Sequence, residues 1–309
     1  MRGIHRSFRA GFSVIDLLVL AGLGGLLVPI VLPVVRDASE QARIDQCLSN
    51  LQGVMQGALA YLNDYDTGFP LTAPSGSAIC TWSLGGKSNS DYWRTYISGI
   101  FYIPATDRVL NRYVLESEVQ PDLMNGPQVV ARTPMPQFRC PSDRYSHQRS
   151  FGTGNPVLPQ ACYDDVGTSY QYNLHVFIPD FGGLLWHGEP ADPWRRPGDW
   201  NDICTVLTRQ VRARHSASFT MFLEDPMDWG VDQHTLQTGN HGELGKHSVG
   251  YLDGHADYAY RDTRGWCGVG WEAINPDWIR TIDGSIPLPV AYEDIFVNCN
   301  PSQNQTLGE

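Results

Sequence analysis

Residues 11–35 read Gly11-Phe12-Ser13-Val14-Ile15-Asp16, followed by LLVLAGLGGLLVPIVLPVV over 17–35. Ahead of this stretch stand Arg2, Arg6 and Arg9 and no acid. The run 17–35 has no charged side chain and is interrupted only by Pro29 and Pro33 among helix-breaking imino acids. As a helix rising about 1.5 Å per residue it extends about 28 Å, close to the roughly 30 Å hydrocarbon core of a bilayer. A single carboxylate at the head of such a helix is costly unless paired, which marks Asp16 as a functional candidate. The helical pattern continues past the apolar run. Ile44, Cys47, Leu48, Leu51, Val54, Met55, Ala58 and Leu62 recur at three- and four-residue steps and form one apolar stripe. One helix is therefore expected from about residue 12 to 64, kinked or locally melted at Pro29 and Pro33. Gly22, Gly24 and Gly25 would let helices pack closely, and Gly68 with Pro70 marks the stop.

A secretory signal peptide also joins a basic segment to an apolar one. Here the apolar run is long, and no small-x-small cleavage site closes it. A plain signal anchor carrying an unrelated domain is the other alternative. The stretch resembles the N-terminus of type IV prepilins and type II secretion pseudopilins. That resemblance implies cleavage after Gly11 by a prepilin peptidase/methyltransferase, which would also methylate the new N-terminal Phe12. Asp16 stands where the family carries glutamate, and Pro33 falls where proline is common. The implied role of Asp16 is to neutralise the Phe12 ammonium of a neighbouring subunit in a bundle of helices. The implied partners are further pilin-like subunits in a homo- or hetero-polymer, an assembly ATPase and an inner-membrane platform protein. The implied location is a single pass through the inner membrane before assembly, spanning 17–35, and a periplasmic or extracellular filament afterwards. The domains would be a leader 1–11, a helix 12–65 and a head 66–309.

The formal net charge of −11 would become −14 on loss of the three leader arginines. Such acidity argues against nucleic acid as the main ligand. The seven cysteines are Cys47, Cys80, Cys140, Cys162, Cys204, Cys267 and Cys299, and no C-x-x-C occurs among them. Zinc ribbons and thioredoxin-type centres are thereby disfavoured. In an exported head, disulfides are expected. Cys47 would clamp the head to the helix, Cys140 and Cys162 bracket one Pro/Gly-rich segment, and Cys267 and Cys299 bracket another. The spacings leave connectivity open, and the odd count leaves one thiol over.

Beyond Pro70 the texture is rich in glycine, proline and aromatic residues, with short apolar runs. Strands are expected within 170–176, 218–223 and 248–252, and 85–135 and 179–204 read as long loops or insertions. The fold class expected is α+β: a long, partly transmembrane N-terminal helix packed on an antiparallel β-rich head, pilin-like. Phe138-Arg139-Cys140-Pro141-Ser142-Asp143 and then Thr168-Ser169-Tyr170-Gln171-Tyr172-Asn173 resemble a signature of a planctomycete-type pilin-like family. Its members end with a histidine, a gap and an Asp-Gly pair. Here His241 precedes Asp253-Gly254 by a longer gap than is usual in that family. The segment around Asp253-Gly254 reads as a β-hairpin.

His241, His247, Asp253, His255 and Asp257 are the densest group of potential ligands. They suit a transition metal on the histidines or Ca2+ on the carboxylates. The pseudopilin resemblance adds weight to calcium, which several such proteins use to fix a C-terminal loop. The structural alternative is a hairpin whose turn and histidines bond to the backbone. Asp164-Asp165 and Asp225 with Asp228 read as solvated loops or calcium donors without EF-hand spacing. Trp186, Trp194, Trp200 and Trp229 suit either a binding face or core plugs beneath loops. Neither Gly-x-Ser-x-Gly nor His-Glu-x-x-His occurs, and the chain is not read as an enzyme. The expected function is a structural filament subunit. The alternative is a membrane-anchored surface module that binds a glycan or protein, and a metal-dependent enzyme around His247 and Asp253 is the third reading.

Overall fold

The computed structural model describes residues 13–65, 83–99, 101–126, 128–150, 157–173, 212, 216–233 and 235–264. The chain divides into two compact units, Met1–Arg43 and Ile44–Glu309. Helix α1, Val14–Asp64, runs unbroken through Pro29 and Pro33. Each proline removes one i→i−4 bond, and the other bonds of those turns keep the helix continuous, so the local melting expected there does not occur. The large apolar side chains described in the first unit are exposed, Val14 at 73% and Ile30 at 65%.

Among the described residues no helix is long and apolar enough to cross a membrane. This overturns the expected span over 17–35. Asp16 bounds the uncharged run on one side and Arg36-Asp37 on the other. The single pass through the inner membrane, and the localisation built on it, are withdrawn with the span.

From Ile44 onward the stripe behaves as its spacing requires. Cys47, Leu51, Val54, Met55, Ala58 and Leu62 are buried, while Leu48 lies at the edge of the stripe, half-buried. They share one core with Tyr170, Tyr172, Phe222, Leu223 and Val249. Burying each of the Leu, Val, Met and Phe side chains among them contributes about 1.5–3 kcal/mol.

The sheet opposite this stripe is antiparallel and four-stranded, in the order β3-β4-β5-β6. Its strands are β3 (Tyr170–Tyr172), β4 (Thr220–Glu224), β5 (Lys246–Tyr251) and β6 (Ala256–Tyr260). Three of them fall within or beside the expected segments; residues 174–176 lie outside the described ones. β5 and β6 form the expected hairpin, with Gly254 at φ +98° in its turn. Gly250 on β5 faces α1: a Cβ there would sit 2.8 Å from Met55 Cγ and Sδ. The architecture is thus α+β, a long N-terminal helix with a mixed helical and antiparallel-sheet unit.

The stretch 85–135 is not merely loop. It holds α2 (Asp91–Thr95), α3 (Asn111–Val114), 3-10 turns at Tyr96–Gly99 and Ala105–Asp107, and the antiparallel pair of exposed β1 (Leu123–Asn125) and β2 (Gln128–Ala131). Polar side chains organise it where apolar periodicity is missing. Buried Arg108 donates to Gly85 O at 2.7 Å, Asn89 Oδ1 at 2.8 Å and Val166 O at 2.7 Å. Asn111 donates to the carbonyls of Gly86 and Ala105, both at 2.8 Å. Two further short helices lie among the described residues, α4 (Cys162–Val166) and α5 (Asp225–Gln233). The stretch 179–204 lies outside the described residues.

Candidate functional site

The segment Phe138–Asp143 is held in place by Cys162, Tyr163 and Ser169, some twenty to thirty residues later in the chain. Ser169 N–H donates to Phe138 O at 2.9 Å, and Cys140 N–H donates to Ser169 Oγ at 3.0 Å. Asp143 accepts from Cys162 N at 2.9 Å, Tyr163 N at 2.9 Å and Ser169 Oγ at 2.6 Å. Burial outweighs these three donors and pushes the Asp143 carboxyl up to about 7. The two segments of the family-like signature thus form one hydrogen-bonded unit, and its consequence is the placement of Cys140 in the main core.

Cys140 there meets Cys47 from α1 and His241 from the loop before β5. The two sulfurs and one histidine nitrogen all lie within 4.8 Å of one another, and all three residues are buried. Cys140 Sγ is 3.5 Å from His241 Nε2, and Cys47 Sγ is 3.5 Å from Ser248 Oγ and 3.4 Å from Tyr170 Oη. Tyr170 also donates to Cys47 O at 3.1 Å. The hydrogen bond with Cys140 pulls the Cys47 thiol well below the usual thiol range despite burial, with His241, Ser248 and Tyr170 adding to it. The hydrogen bond with Cys47, then burial and the charge on Cys47, push the Cys140 thiol up.

The His241 loop is tight. Gly239 N–H donates to Glu243 O at 3.1 Å, and Gly242 N–H donates to Gly239 O at 2.9 Å. Gly242 and Gly245 have φ of +85° and +71°, values that favour glycine. Fully buried Glu224 steadies the loop by accepting from Asn240 N at 3.1 Å, and its Oε1 lies 2.8 Å from His247 Nδ1.

The expected cysteine bridges do not form among the described residues: Cys47, Cys140 and Cys162 are free thiols. Cys140 and Cys162 belong to different apolar clusters, and Cys162 Sγ accepts from Gln171 Nε2 at 3.3 Å. Cys267 and Cys299 lie outside the described residues, as do Gly11 and Phe12. Asp16 is in the first turn of α1, and Pro33 in its interior.

The ligand group expected at the C-terminal hairpin is not brought together. His247 is buried against Glu224 and pairs across the ladder with Ala259. Asp253 and His255 sit at the exposed turn, where His255 Nδ1 lies 2.5 Å from Asp253 Oδ1 and its ring stacks on Tyr251. Asp257 is exposed opposite Val249. Among the described residues, the one group with converging metal-ligand atoms is Cys47, Cys140 and His241. His241 is thus drawn away from the histidines it neighbours in sequence. Cys47 was legible as a stripe residue and disulfide candidate and Cys140 as a signature residue and disulfide candidate, but no local spacing joins either to His241.

Of the acidic pairs read as solvated loops, Asp165, Asp225 and Asp228 are buried, while Asp164 is half-exposed beside Lys87. Asp165 accepts from Ser90 Oγ, Trp93 Nε1, Ser146 Oγ and Arg149 at 2.6–3.1 Å. Asp225 accepts from His147 N at 3.0 Å and Gln148 Nε2 at 2.8 Å, and Asp228 accepts from Gln148 at 3.0 Å. Trp229 stacks on His147, with ring centroids 6.0 Å apart; the other three candidate tryptophans lie outside the described residues. No family model, curated protein or solved structure matches this chain.

Proposed function

We propose that the chain is a structural subunit of a type IV pilus-like or secretion pseudopilus-like filament, pilin-like in fold, cleaved after Gly11 and polymerised through α1. One observation carries the reading: Val14, Ile15, Leu18, Ile30, Leu32 and Val34, among others, leave an unbroken helix segment apolar and in water. Apolar surface on that scale marks an interaction site, and the occupant proposed is the same segment of further subunits. Repeated head-to-tail contact of one surface with another generates an open helical polymer. Asp16 would then meet the Phe12 ammonium of a neighbour, a pairing that fixes register because either charge alone would be penalised in the bundle. A peptidase/methyltransferase, an assembly ATPase and a platform protein are the partners this reading requires.

The test is the intact mass and N-terminal peptide of the protein from its native cell, with electron microscopy of the same sample. The expected result is a chain beginning at N-methylated Phe12 within filaments. A chain retaining residues 1–11 and recovered as a monomer would refute the proposal.

A further inference from the structure

We propose that Cys47, Cys140 and His241 are the ligands of a structural zinc-class divalent cation that staples α1 to the two loops carrying the other ligands. The proposal is independent of filament formation. The donor set is two sulfurs and one imidazole nitrogen, the set that selects zinc over calcium or magnesium. Zn–S and Zn–N bonds are about 2.3 and about 2.0 Å, so two such ligands at a tetrahedral angle stand about 3.5 Å apart. Cys140 Sγ and His241 Nε2 stand 3.5 Å apart, and Cys47 Sγ completes a triangle with every edge within 4.8 Å.

Charge favours the same ion. Cys47 and Cys140 are fully buried and His241 nearly so, so the site must be close to neutral. Two thiolates and a neutral imidazole balance one divalent cation, whereas a monovalent copper ion would leave one negative charge buried. Binding releases the two thiol protons to solvent, and no redox step is involved. The surroundings fit as well. The hydroxyls of Ser248 and Tyr170, 3.5 and 3.4 Å from Cys47 Sγ, are placed to donate to a thiolate that has become a ligand. A Cys47–Cys140 disulfide would leave His241 Nε2 and both hydroxyls facing a poor acceptor. His241, at 8% exposure the least buried of the three, marks the side of ion entry and of a solvent-derived fourth ligand.

The site joins parts of the chain far apart in sequence, since 93 residues separate Cys47 from Cys140 and His241 lies 101 beyond Cys140. The test uses the full chain, reduced, stripped with chelator, kept anaerobic and titrated with Co2+. The expected result is one ion per chain, with a thiolate-to-cobalt charge-transfer band and the visible bands of a tetrahedral ion, both lost on adding Zn2+. Cys47→Ser and Cys140→Ser should each remove part of the charge-transfer intensity, and Cys299→Ser should leave it unchanged. Because Cys47 and Cys140 are core residues, the deciding variant is His241→Gln at the less buried corner. It should keep the wild-type circular dichroism and weaken Co2+ binding by at least about 10–100-fold. Absence of thiolate–cobalt bands in the folded chain, or bands and affinity unmoved in His241→Gln, would overturn the proposal. So would peptide masses showing Cys47 and Cys140 joined in unreduced protein from the native cell.

Discussion

Asp143 shows how one buried carboxyl couples a sequence motif to stability. Its three donors favour the ionised form, but burial wins and raises its titration from 3.8 to about 7. Between those values the folded chain holds a proton that the unfolded chain has released. The folded state therefore binds more protons in that window, and this group's contribution is complete below about 4 and lost as pH rises through about 7. Asp143→Asn removes the titration and keeps one oxygen, enough to accept from Cys162 N but not also from Tyr163 N, which bonds the other carboxylate oxygen. Urea denaturation at several values between pH 4 and 8 should show a shallower decline with pH for the variant than for the wild type; identical slopes would refute this assignment. The residue scale is also where sequence reading was weakest. Asp164-Asp165 looks the same in sequence whether solvated or buried, because the partners of Asp165 are Ser90, Trp93, Ser146 and Arg149. Burial of a charge is decided by such distant donors, and no local pattern announces them.

At the scale of elements, legibility follows periodicity. The stripe from Ile44 to Leu62 identified both the helix and its buried face, and the Asp253-Gly254 pair located the β5–β6 turn. The short helices gave no such signal: α2, α3 and α4 have only four or five residues, less than the window over which a 3.6-residue period can be recognised. Helix α5 was hidden differently. Pro226 is its second residue and Gly230 lies inside it, so the composition read as loop although proline is well tolerated in a first turn. The candidate metal triad is likewise an event between elements, with its ligands contributed by a helix and two loops. The contact between α1 and β5 depends on a missing side chain. A Cβ at Gly250 would stand 2.8 Å from Met55 and 3.3 Å from Leu51, and Met55 and Leu51 are both fully buried. Gly250→Val should cost about 1–3 kcal/mol through overpacking, seen as a lower denaturation midpoint with an unchanged slope. A midpoint equal to that of the wild type would show that α1 moves away from β5 at no cost.

For the whole molecule, the decisive contrast is between a stripe that the chain buries itself and a helix segment that it leaves in water. From Ile44 onward the apolar side chains of α1 are satisfied within one subunit. Ile30, 65% exposed, and its neighbours have no such core, so a substitution there separates folding from assembly. Ile30→Asp alters a solvent-facing position, and the melting of a single subunit should change by no more than about 0.5 kcal/mol. In a bundle of α1 helices the same change buries an unpaired carboxylate, at about 3 kcal/mol or more per contact. Such a cost raises the concentration needed for polymerisation by about two orders of magnitude. Asp16→Asn should act in the opposite electrostatic sense, leaving the Phe12 ammonium of a neighbour uncompensated and lowering filament yield comparably. Sedimentation and negative-stain imaging of the processed chain, alongside thermal melts of each variant, read both quantities at once. Filament yields equal to the wild type in both variants would mean that the exposed segment of α1 is not the polymer contact. Loss of filaments together with a lowered melting temperature would mean instead that these positions support the fold of the subunit.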